Sequence, residues 1–506
     1  MNDGLKAKYR EAIIGMLRAN PRVKRAVLFG SRARGTYSPA SDVDIALYGE
    51  ELGLDDLSSL SAQIDALPVP QKVDLLLFHQ IDNPELREQI EKYGVGWFYS
   101  EDKEPKSAIP EGWKMTTLGE VAEVNPTESL GKNNVAKYVA MENLTPFTRK
   151  IYKFEKKEFN GGTKFRNGDT LLARITPCLE NGKTAFVDIL EENEIGFGST
   201  EYIVIREKDG KSDRKFLYYL AISPRFRDIA IKAMTGSSGR QRVQTDLLVN
   251  ELFPIPPLHE QRAIAGVLGS LDDKIELLRS QNQTLEQIAQ AIFKEWFVNF
   301  NFPGAEGKMI ESELGEIPQG WRVGRLGDEF KIIMGQSPLG ESYNEIGEGT
   351  IFFQGRTDFT ERFPRTRLYT TEPKRIAEKF DVLVSVRAPV GDINMAYSRC
   401  CIGRGLAAIR GQFKSYALYK IKSLQKKLSK FESEGTIFGS INKDDFANIK
   451  VTIPSQIATE SFDTLICSYD RKIFNNYSQI QILSTLRYAL LPKLMKGEVR
   501  VKSFNE

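Results

Sequence analysis

Five residues in the N-terminal fifth of the chain have types and spacing that suit phosphate and metal chemistry. Gly30 and Ser31 directly follow an apolar segment. Asp42 and Asp44 are two residues apart in a second apolar segment, and Asp74 lies in a third. Glycine lets a backbone approach a phosphate closely, and free N–H groups at a helix start favour an anion. Because alternate residues of a strand face one side, the carboxylates are expected together, where they suit Mg²⁺, a hard cation that prefers oxygen ligands.

The segments around these residues predict a small domain that positions them. Leu5, Tyr9 and Ile13 have helical spacing, and Asn20-Pro21 ends that helix. The sequence predicts helices over 5–17 and 54–67 and strands over 23–30, 41–48 and 72–78. This alternation is typical of an α/β domain.

The order Gly-Ser, Asp-x-Asp and a third Asp resembles the minimal nucleotidyltransferase family of the polymerase-beta-like superfamily over about residues 5–100. The resemblance implies that Gly30 and Ser31 hold nucleotide phosphates. It implies that Asp42 and Asp44 bind metal, and that Asp74 completes the metal triad and helps to activate the acceptor hydroxyl. The implied cofactors are Mg²⁺ and a nucleoside triphosphate, ATP. Members of this family often act as antitoxins that transfer a nucleotide monophosphate to a partner toxin, so a toxin or another protein is the expected acceptor.

Composition excludes several other classes of protein. The chain has only two histidines, His79 and His259, so a zinc site or catalysis by histidine is not expected. Its four cysteines form no C-x-x-C pair. No apolar run reaches the roughly 20 residues of a membrane span, and the N-terminus lacks the apolar core of a signal peptide. A cytoplasmic protein is the expectation.

The net charge of +3 is unevenly distributed along the 506 residues. The first 105 residues carry a small excess of acidic side chains, and the remainder carries an excess of basic ones. This distribution favours an anionic partner for the later part of the chain, although a solvated surface would give the same excess.

Beyond residue 109 the chain repeats itself. IPEGWKMTTLGE (109–120) recurs as IPQGWRVGRLGD (317–328), and GDTLLARITP (168–177) recurs as FDVLVSVRAP (380–389). FPIPPLHEQ (253–261) recurs as VTIPSQIAT (451–459). The chain therefore contains two copies of a unit of roughly 200 residues. The first part of each unit, rich in β-branched and aromatic residues with frequent glycine and proline, predicts a mixed domain of strands and loops.

The second part of each unit predicts a long helix with a heptad seam. The first seam contains Ile264, Leu268, Leu271, Ile275, Leu278, Asn282, Leu285, Ala289, Ile292 and Trp296. The second contains Phe462, Ile466, Tyr469, Ile473, Asn476, Ile480, Leu483, Arg487, Leu490 and Leu494, with Arg487 as the charged exception. If the two helices pack antiparallel about a two-fold axis at their midpoints, Asn282 faces Asn476, and the two asparagines can set the register of the pair.

The order of these motifs resembles the specificity subunit of type I restriction-modification systems over about residues 109–500. IPEGW, KYVAMENL (137–144), GDTLLARI, TGSSGRQR (235–242), FPIPPLHEQRAIA and a long helix follow one another in that order. The resemblance implies two target-recognition domains that each read half of a split site in double-stranded DNA. It also implies an antiparallel coiled coil that docks methylation subunits, expected to be two, and a restriction subunit. No methyltransferase or complete phosphate-binding-loop motif is found, so catalysis of methylation is expected on other chains.

Arginines beside a glycine-rich loop are the candidates for DNA contact. Arg240 and Arg242 in TGSSGRQR can grip phosphates or pair with guanine, although a solvated turn would have the same sequence. Three further arginines next to strands are weaker candidates: Arg174, Arg387 and Arg404. The second copy has EGTIFGSINK (434–443) at the position of the loop and lacks its arginines.

The sequence therefore predicts a multidomain chain of α/β and α+β parts. Its parts are a nucleotidyltransferase-like domain (1–100), a linker (101–110), a first target-recognition or repeat domain (111–257), a first long helix (258–302), a connector (303–316), a second target-recognition or repeat domain (317–455) and a second long helix (456–498). The leading interpretation is a DNA specificity subunit with an appended nucleotidyltransferase. Two alternatives remain: a nucleotidyltransferase that recognition domains deliver to DNA or to a restriction complex, and an N-terminal domain that only docks or regulates.

Overall fold

The computed structural model describes eight stretches of the chain: residues 4–38, 41–49, 52–67, 69–81, 83–99, 109–237, 239–432 and 439–501. The predicted linker 101–110 lies outside these residues up to residue 108. The chain packs as two units, which are Met1–Val121 with Val249–Pro257 and Met495–Arg500, and Ala122–Leu248 with Leu258–Leu494 and Val501–Glu506. Within the described stretches no helix is both long and apolar enough to cross a membrane.

The N-terminal domain is a four-stranded mixed sheet with helices, as the alternating pattern predicts. Its elements are α1 (Ala7–Ala19), β1 (Arg25–Phe29), α2 (Gly30–Arg34), β2 (Val43–Tyr48), α3 (Leu54–Asp65), β3 (Val73–Leu77), α4 (Pro84–Tyr93) and β4 (Val95–Tyr99). The strand order is β3-β2-β1-β4, with β2 parallel to β3 and β1 antiparallel to both β2 and β4. The sequence prediction did not include α4 and β4.

Residues of β2 alternate between two apolar clusters on opposite faces of the sheet. Ile45 packs in one cluster with Ile13 of α1 and Leu60 of α3. Ala46 packs in the other with Ile90 of α4. Because side chains alternate with a period of two, Asp44 shares the face of Ala46 and lies at the end of that face where β2 begins.

The first repeat domain consists of short strands and helices. They are β5 (Lys114–Thr117), α5 (Leu118–Val121), β6 (Ala122–Val124), β7 (Val135–Val139), β8 (Glu155–Glu158), β9 (Thr163–Phe165), β10 (Thr170–Ala173), β11 (Thr184–Phe186), β12 (Gly196–Gly198), β13 (Tyr202–Glu207), α6 (Arg214–Ile222), α7 (Pro224–Lys232), β14 (Met234–Thr235), β15 (Arg242–Val243), α8 (Thr245–Asn250) and β16 (Leu252–Ile255). The first long helix follows as α9 (Leu258–Phe297), which ends before the predicted residue 302.

The second repeat domain has the same plan. Its elements, with those of the connector, are β17 (Met309–Ile310), β18 (Ile317–Pro318), β19 (Arg322–Arg325), α10 (Leu326–Glu329), β20 (Lys331–Met334), β21 (Tyr343–Asn344), β22 (Thr350–Phe353), β23 (Leu368–Thr370), β24 (Ile376–Ala377), β25 (Val382–Ser385), β26 (Ile393–Met395), β27 (Cys400–Ile402), β28 (Leu406–Arg410), α11 (Lys414–Ser423), α12 (Gln425–Leu428), α13 (Lys443–Ala447) and β29 (Lys450–Ile453). The second long helix is α14 (Gln456–Lys496).

The sheets of the two repeat domains correspond strand for strand. The first domain has sheets ordered β11-β10-β13-β6 and β8-β7-β12-β9. The second has β26-β25-β28-β20 and β23-β22-β27-β24, with β21 added beside β23. The duplication inferred from scattered motifs is therefore a duplication of topology.

In each repeat domain the first strand pairs with the last. In the first domain, β5 runs antiparallel to β16, with Met115 opposite Pro254. In the second, β19 runs antiparallel to β29, with Val323 opposite Thr452. The repeated IPxGW and IP motifs flank these strand pairs, so they mark the point where each domain opens and closes before its long helix.

The two long helices pack against each other along the predicted seam. Ile275 and Leu278 of α9 form an apolar cluster with Ile480 and Leu483 of α14. Arg487, further along α14, forms an ion pair with Asp272, earlier on α9. Partner numbers rise on one helix as they fall on the other, so the helices are antiparallel.

Candidate functional site

The N-terminal site begins at a sharp turn between a strand and a short helix. β1 ends at Phe29, and Gly30 has a φ of +73°, a conformation that favours glycine. A Cβ atom placed on Gly30 would lie 2.4 Å from Oδ2 of Asp44. Position 30 therefore favours glycine for two reasons: its positive φ, and the close approach of the Asp44 carboxylate. Ser31 follows, half-buried, in the first turn of α2.

Asp44 and Asp74 lie side by side on neighbouring strands. They are directly opposite each other in the parallel pairing of β2 with β3, so both face the same side of the sheet. Both are half-buried, whereas Asp42, just before β2, is exposed. Burial raises the pKa of Asp44, and the negative charges of Asp74 and Asp42 raise it further. The ionised form of Asp44 is therefore disfavoured both by burial and by its two acidic neighbours.

Two cationic side chains at this site were missed in the sequence. Arg32 is buried, and its guanidinium donates to the carbonyl oxygens of Ser41, at 2.8 Å, and Asp42, at 3.1 Å. It thus ties α2 to the entry of β2. Lys72 is exposed and places Nζ 2.8 Å from Oδ1 of Asp74. The position of Lys72, two residues before Asp74 on one strand face, is the signal that could have found it.

The donor chemistry of this site fits a hard cation. Carboxylate oxygens are the ligands that Mg²⁺ prefers, and the side chain that Gly30 lacks leaves the approach to Asp44 open. Across the described part of the chain, however, no three acidic, histidine or cysteine side chains are gathered closely enough to hold a metal ion. The structure aligns Asp44 with Asp74, and the assignment of all three aspartates as ligands stays a prediction.

Two of the arginines predicted to contact DNA share one carboxylate in the first repeat domain. Arg242 binds Glu201 with Nη2 at 2.7 Å and Nε at 3.0 Å, and Arg174 lies 3.6 Å from the same carboxylate. The hydrogen bond from Arg242 and the nearby positive charges lower the pKa of Glu201. Arg240 is exposed at the end of the glycine-rich loop. The structure thus brings Arg174 and Arg242 together at Glu201, whereas Arg240 is exposed to solvent.

The glycine-rich loop lies against the segment that follows β10. Thr176 N donates to the carbonyl oxygen of Gln241 at 3.0 Å, and Ile175 pairs with Arg242 in an isolated bridge. This contact fixes the loop at one edge of the first repeat domain.

The second repeat domain has the same contact, made by different residues. Arg387 pairs with Ser440 in an isolated bridge, and Ala388 N donates to the carbonyl oxygen of Gly439 at 3.0 Å. Arg387 thus takes the position of Ile175, one residue after the position of Arg174, and it is exposed. Arg404 is exposed before β28. Residues 434–438 of EGTIFGSINK lie outside the described residues.

The helix pair contains two polar contacts within its apolar seam. Asn476, fully buried, donates from Nδ2 to Oδ1 of Asn282 at 2.8 Å, the pairing expected from the two-fold arrangement. Arg487 interrupts the heptads of α14, and Asp272 of α9 supplies its countercharge. The Asp272 carboxylate also accepts a hydrogen bond from the hydroxyl of Tyr219 at 2.8 Å. The charged exception in the seam is therefore satisfied across the helix pair.

Comparison with known proteins assigns the repeated part of the chain. Residues 110–287 and 318–477 match the family described as "Type I restriction modification DNA specificity domain", which is more than half of the chain. The chain belongs to this family. The type I specificity chain is 30% identical over 428 residues to a Methanocaldococcus jannaschii protein, provisionally named the type I restriction enzyme MjaX specificity subunit, and the match covers 80% of the chain and 99% of that protein. A solved structure of the HsdS subunit from Thermoanaerobacter tengcongensis is 29% identical, covers 77% of the chain and 98% of that subunit, and gives a TM-score of 0.32.

The N-terminal domain of the type I specificity chain has its own match. Residues 11–104 match the family described as "Polymerase beta, Nucleotidyltransferase". A solved toxin-antitoxin structure with AMP-PNP is 28% identical, covers 18% of the chain and 74% of that chain, and gives a TM-score of 0.17. The two family matches together give a chain of the type I specificity family with an N-terminal domain that matches the nucleotidyltransferase family, as the sequence predicts.

Proposed function

We propose that residues 109–500 bind a split site in double-stranded DNA, with one half-site read by each repeat domain. The observation that supports this most directly is the duplicated topology on an antiparallel helix pair. Two equivalent reading surfaces on one internal frame suit two half-sites at a fixed separation. The helix pair docks methylation subunits, expected to be two, and the assembly takes a restriction subunit, while catalysis of methylation and cleavage belongs to those chains.

Within the first repeat domain, Arg240 contacts DNA directly, and Arg174 and Arg242 contribute to the same surface. Glu201 forms ion pairs with Arg174 and Arg242 and partly neutralises their charge. These two arginines therefore orient the glycine-rich loop as well as contributing to DNA contact. In the second domain, Arg387 and Arg404 provide exposed positive charge. Phosphate contacts by such side chains would make binding fall steeply with salt.

The N-terminal domain transfers a nucleotide monophosphate from ATP to a hydroxyl of a protein acceptor, such as a toxin. Asp42, Asp44 and Asp74 would hold Mg²⁺, and the bound cation would supply the positive charge needed to activate the acceptor hydroxyl and to neutralise the pyrophosphate that leaves. Gly30 and Ser31 receive the phosphates. The raised pKa of Asp44 and the pairing of Asp44 with Asp74 support this assignment.

DNA recognition is tested with the full chain and its methylation subunits. We expect the assembly to enrich a split sequence from a random-sequence duplex library, with binding that weakens steeply as salt rises. An assembly that enriches no sequence would contradict the proposed DNA function.

Nucleotide transfer is tested with labelled ATP, Mg²⁺ and proteins co-purified from the native host. The unaltered chain should label an acceptor, and the double variant Asp42→Ala with Asp44→Ala should not. A matched control, Asp55→Ala with Asp65→Ala, changes two aspartates of α3 and should leave labelling intact. If the unaltered chain binds no nucleotide, the domain is a docking or regulatory module instead.

A further inference from the structure

One buried arginine of the second repeat domain contacts both long helices. Arg362 lies between β22 and β23, and only 8% of its side chain is exposed. Its Nη2 donates to Oδ1 of Asp470 on α14 at 2.5 Å, and its Nη1 binds the carboxylate of Glu286 on α9. The same Nη1 donates to the hydroxyl of Tyr419, in the same repeat domain, at 3.1 Å. The guanidinium therefore joins one repeat domain to both helices at once.

A second cation of this domain strengthens the contact with α9. Lys422 of α11 binds Oε1 of Glu286, and the Tyr419 hydroxyl lies 3.3 Å from its Oε2. Burial raises the pKa of Glu286, but the charges of Arg362 and Lys422 outweigh it, and the net pKa is lowered. Two basic side chains thus meet two acidic ones, so their formal charges balance.

The first repeat domain is attached in a different way. Arg149 is also buried, but its partners Asp273, at 2.5 Å, and Glu276, at 2.8 Å, both belong to α9. The partners of that arginine therefore belong to one helix, and the first repeat domain meets α14 through a different residue, Phe147, whose carbonyl oxygen accepts from Arg487 at 3.2 Å. On α9, Asp273, which binds the first domain, and Glu286, which binds the second, are separated by about 20 Å at 1.5 Å of rise per residue.

The planar guanidinium of Arg362 restricts the angles at which its two carboxylate partners can bind. A guanidinium is planar and offers its donors at fixed angles, whereas an ammonium is a compact charge on a flexible stem. One guanidinium that pairs with carboxylates on two helices opposes rotation of its domain about either helix, in addition to the apolar core that this domain shares with both helices.

We propose that Arg362 is a positioning residue that fixes the rotation of the second repeat domain on the helix pair, and thereby restricts the separation of the two DNA half-sites that the chain accepts. The proposal rests on the proposed reading of a split site. One added base pair moves the far half-site by about 3.4 Å and turns it by roughly 35°. The guanidinium holds both helices at fixed angles and resists that turn, whereas a flexible ammonium at the same position would let the domain adjust on the apolar core that it shares with the helices.

The test uses the full chain assembled with its methylation subunits. The half-sites and preferred spacer are first selected from a random-sequence duplex library, and binding is then measured on duplexes with that spacer shortened or lengthened by one and two base pairs. The variant is Arg362→Lys, which keeps the charge and loses the fork. The matched control is Arg410→Lys, because Arg410 pairs with buried Asp381 inside the same domain and contacts neither helix in that pair.

We expect the unaltered assembly to prefer its best spacer over the neighbouring lengths by about tenfold, the size of a typical mismatch penalty. Arg362→Lys should reduce this preference to about twofold and leave the mismatch penalties within each half-site unchanged. Arg410→Lys should keep the original preference. Because spacer preference is a ratio, it does not respond to a uniform loss of folded protein. Should Arg362→Lys fail to fold, Asp470→Asn, which weakens only the α14 arm, should broaden the accepted spacers in the same direction.

An unchanged spacer preference in a folded Arg362→Lys assembly overturns the inference while the proposed function stands. Equal weakening at every spacer overturns it as well, since the residue would then only support stability. An unaltered assembly that selects no split site overturns the proposed function and the inference together.

Discussion

The ion pair between Arg487 and Asp272 makes a sharp prediction about the helix pair. Both side chains are almost fully buried, with 7% and 3% of their area exposed, and Arg487 also donates to the carbonyl oxygen of Phe147 at 3.2 Å. Arg487→Met keeps an apolar stem in the seam but leaves the Asp272 charge buried with only the Tyr219 hydroxyl. Removing one partner of a buried pair costs about 3–5 kcal/mol.

The assay is hydrogen exchange of backbone amides, followed by mass spectrometry on the full chain. It reports local opening, which is needed because a chain of several domains does not unfold in one step. In Arg487→Met, amides of α9 around Asp272 should exchange about a hundredfold to several thousandfold faster, at 1.4 kcal/mol for each factor of ten. Arg471→Met is the matched control, since Arg471 is an exposed residue of the same helix, and its exchange should match that of the unaltered chain.

A double variant separates charge from packing. Asp272→Asn combined with Arg487→Gln replaces the ion pair with a neutral hydrogen-bonded pair and keeps an acceptor for Tyr219. Because no buried charge is left unpaired, exchange should return most of the way towards that of the unaltered chain. The reasoning is refuted if Arg487→Met exchanges at the unaltered rate, or if the double variant is as labile as the sum of the two single variants.

Three further predictions concern other parts of the chain. The pKa of Asp44 is raised in the folded chain, so metal-free stability should fall as pH rises from the ordinary aspartate range through that raised pKa. Thermal denaturation should show this loss in the unaltered chain and not in Asp44→Asn, and Mg²⁺ should raise the Tm only of the unaltered chain. Arg240→Ala should lower the slope of log affinity against log salt by about one, measured by DNA titration, and an unchanged slope would remove Arg240 from the interface. Asn282→Leu should lower the free energy of local opening around Asn476 by about 1–3 kcal/mol, because Asn476 loses its nearer acceptor and keeps only Gln281 at 3.4 Å. Asn282→Leu with Asn476→Leu should restore that free energy, measured by hydrogen exchange, and equal exchange in the two variants would contradict the role of this hydrogen bond.

The sequence predicted those parts of the fold that depend on local periodicity. The heptad seams placed both long helices, and the two-fold arrangement identified Asn282 and Asn476 as partners, because a heptad repeat fixes position over many turns. The alternation of Asp44 with apolar neighbours placed it on a strand face beside Asp74. These inferences needed no knowledge of distant contacts.

What the sequence could not predict depends on pairing between distant segments. No local pattern connects Arg362 with Glu286 and Asp470, or Arg242 with Glu201, because each contact joins elements that only the folded chain brings together. For the same reason the sequence identifies Arg242 as a candidate for DNA contact but does not show its ion pair with Glu201. Arg174 and Arg387 both follow a strand, but the register of the two isolated bridges places Arg387 at the position of Ile175 and not at that of Arg174.

The strand pairs β5–β16 and β19–β29 have a consequence for how such a chain can change. Each pair brings the first and last strands of a repeat domain into hydrogen-bonded contact, so the polypeptide enters and leaves each domain at adjacent points. The segment between those strands can be exchanged for one of different length and sequence without moving its points of entry and exit, provided that the two strands still pair and the new segment keeps the contacts with the long helices. Each repeat domain is thus built as an insertion between two paired strands, and the long helix that follows it begins from the same place whatever the insertion contains.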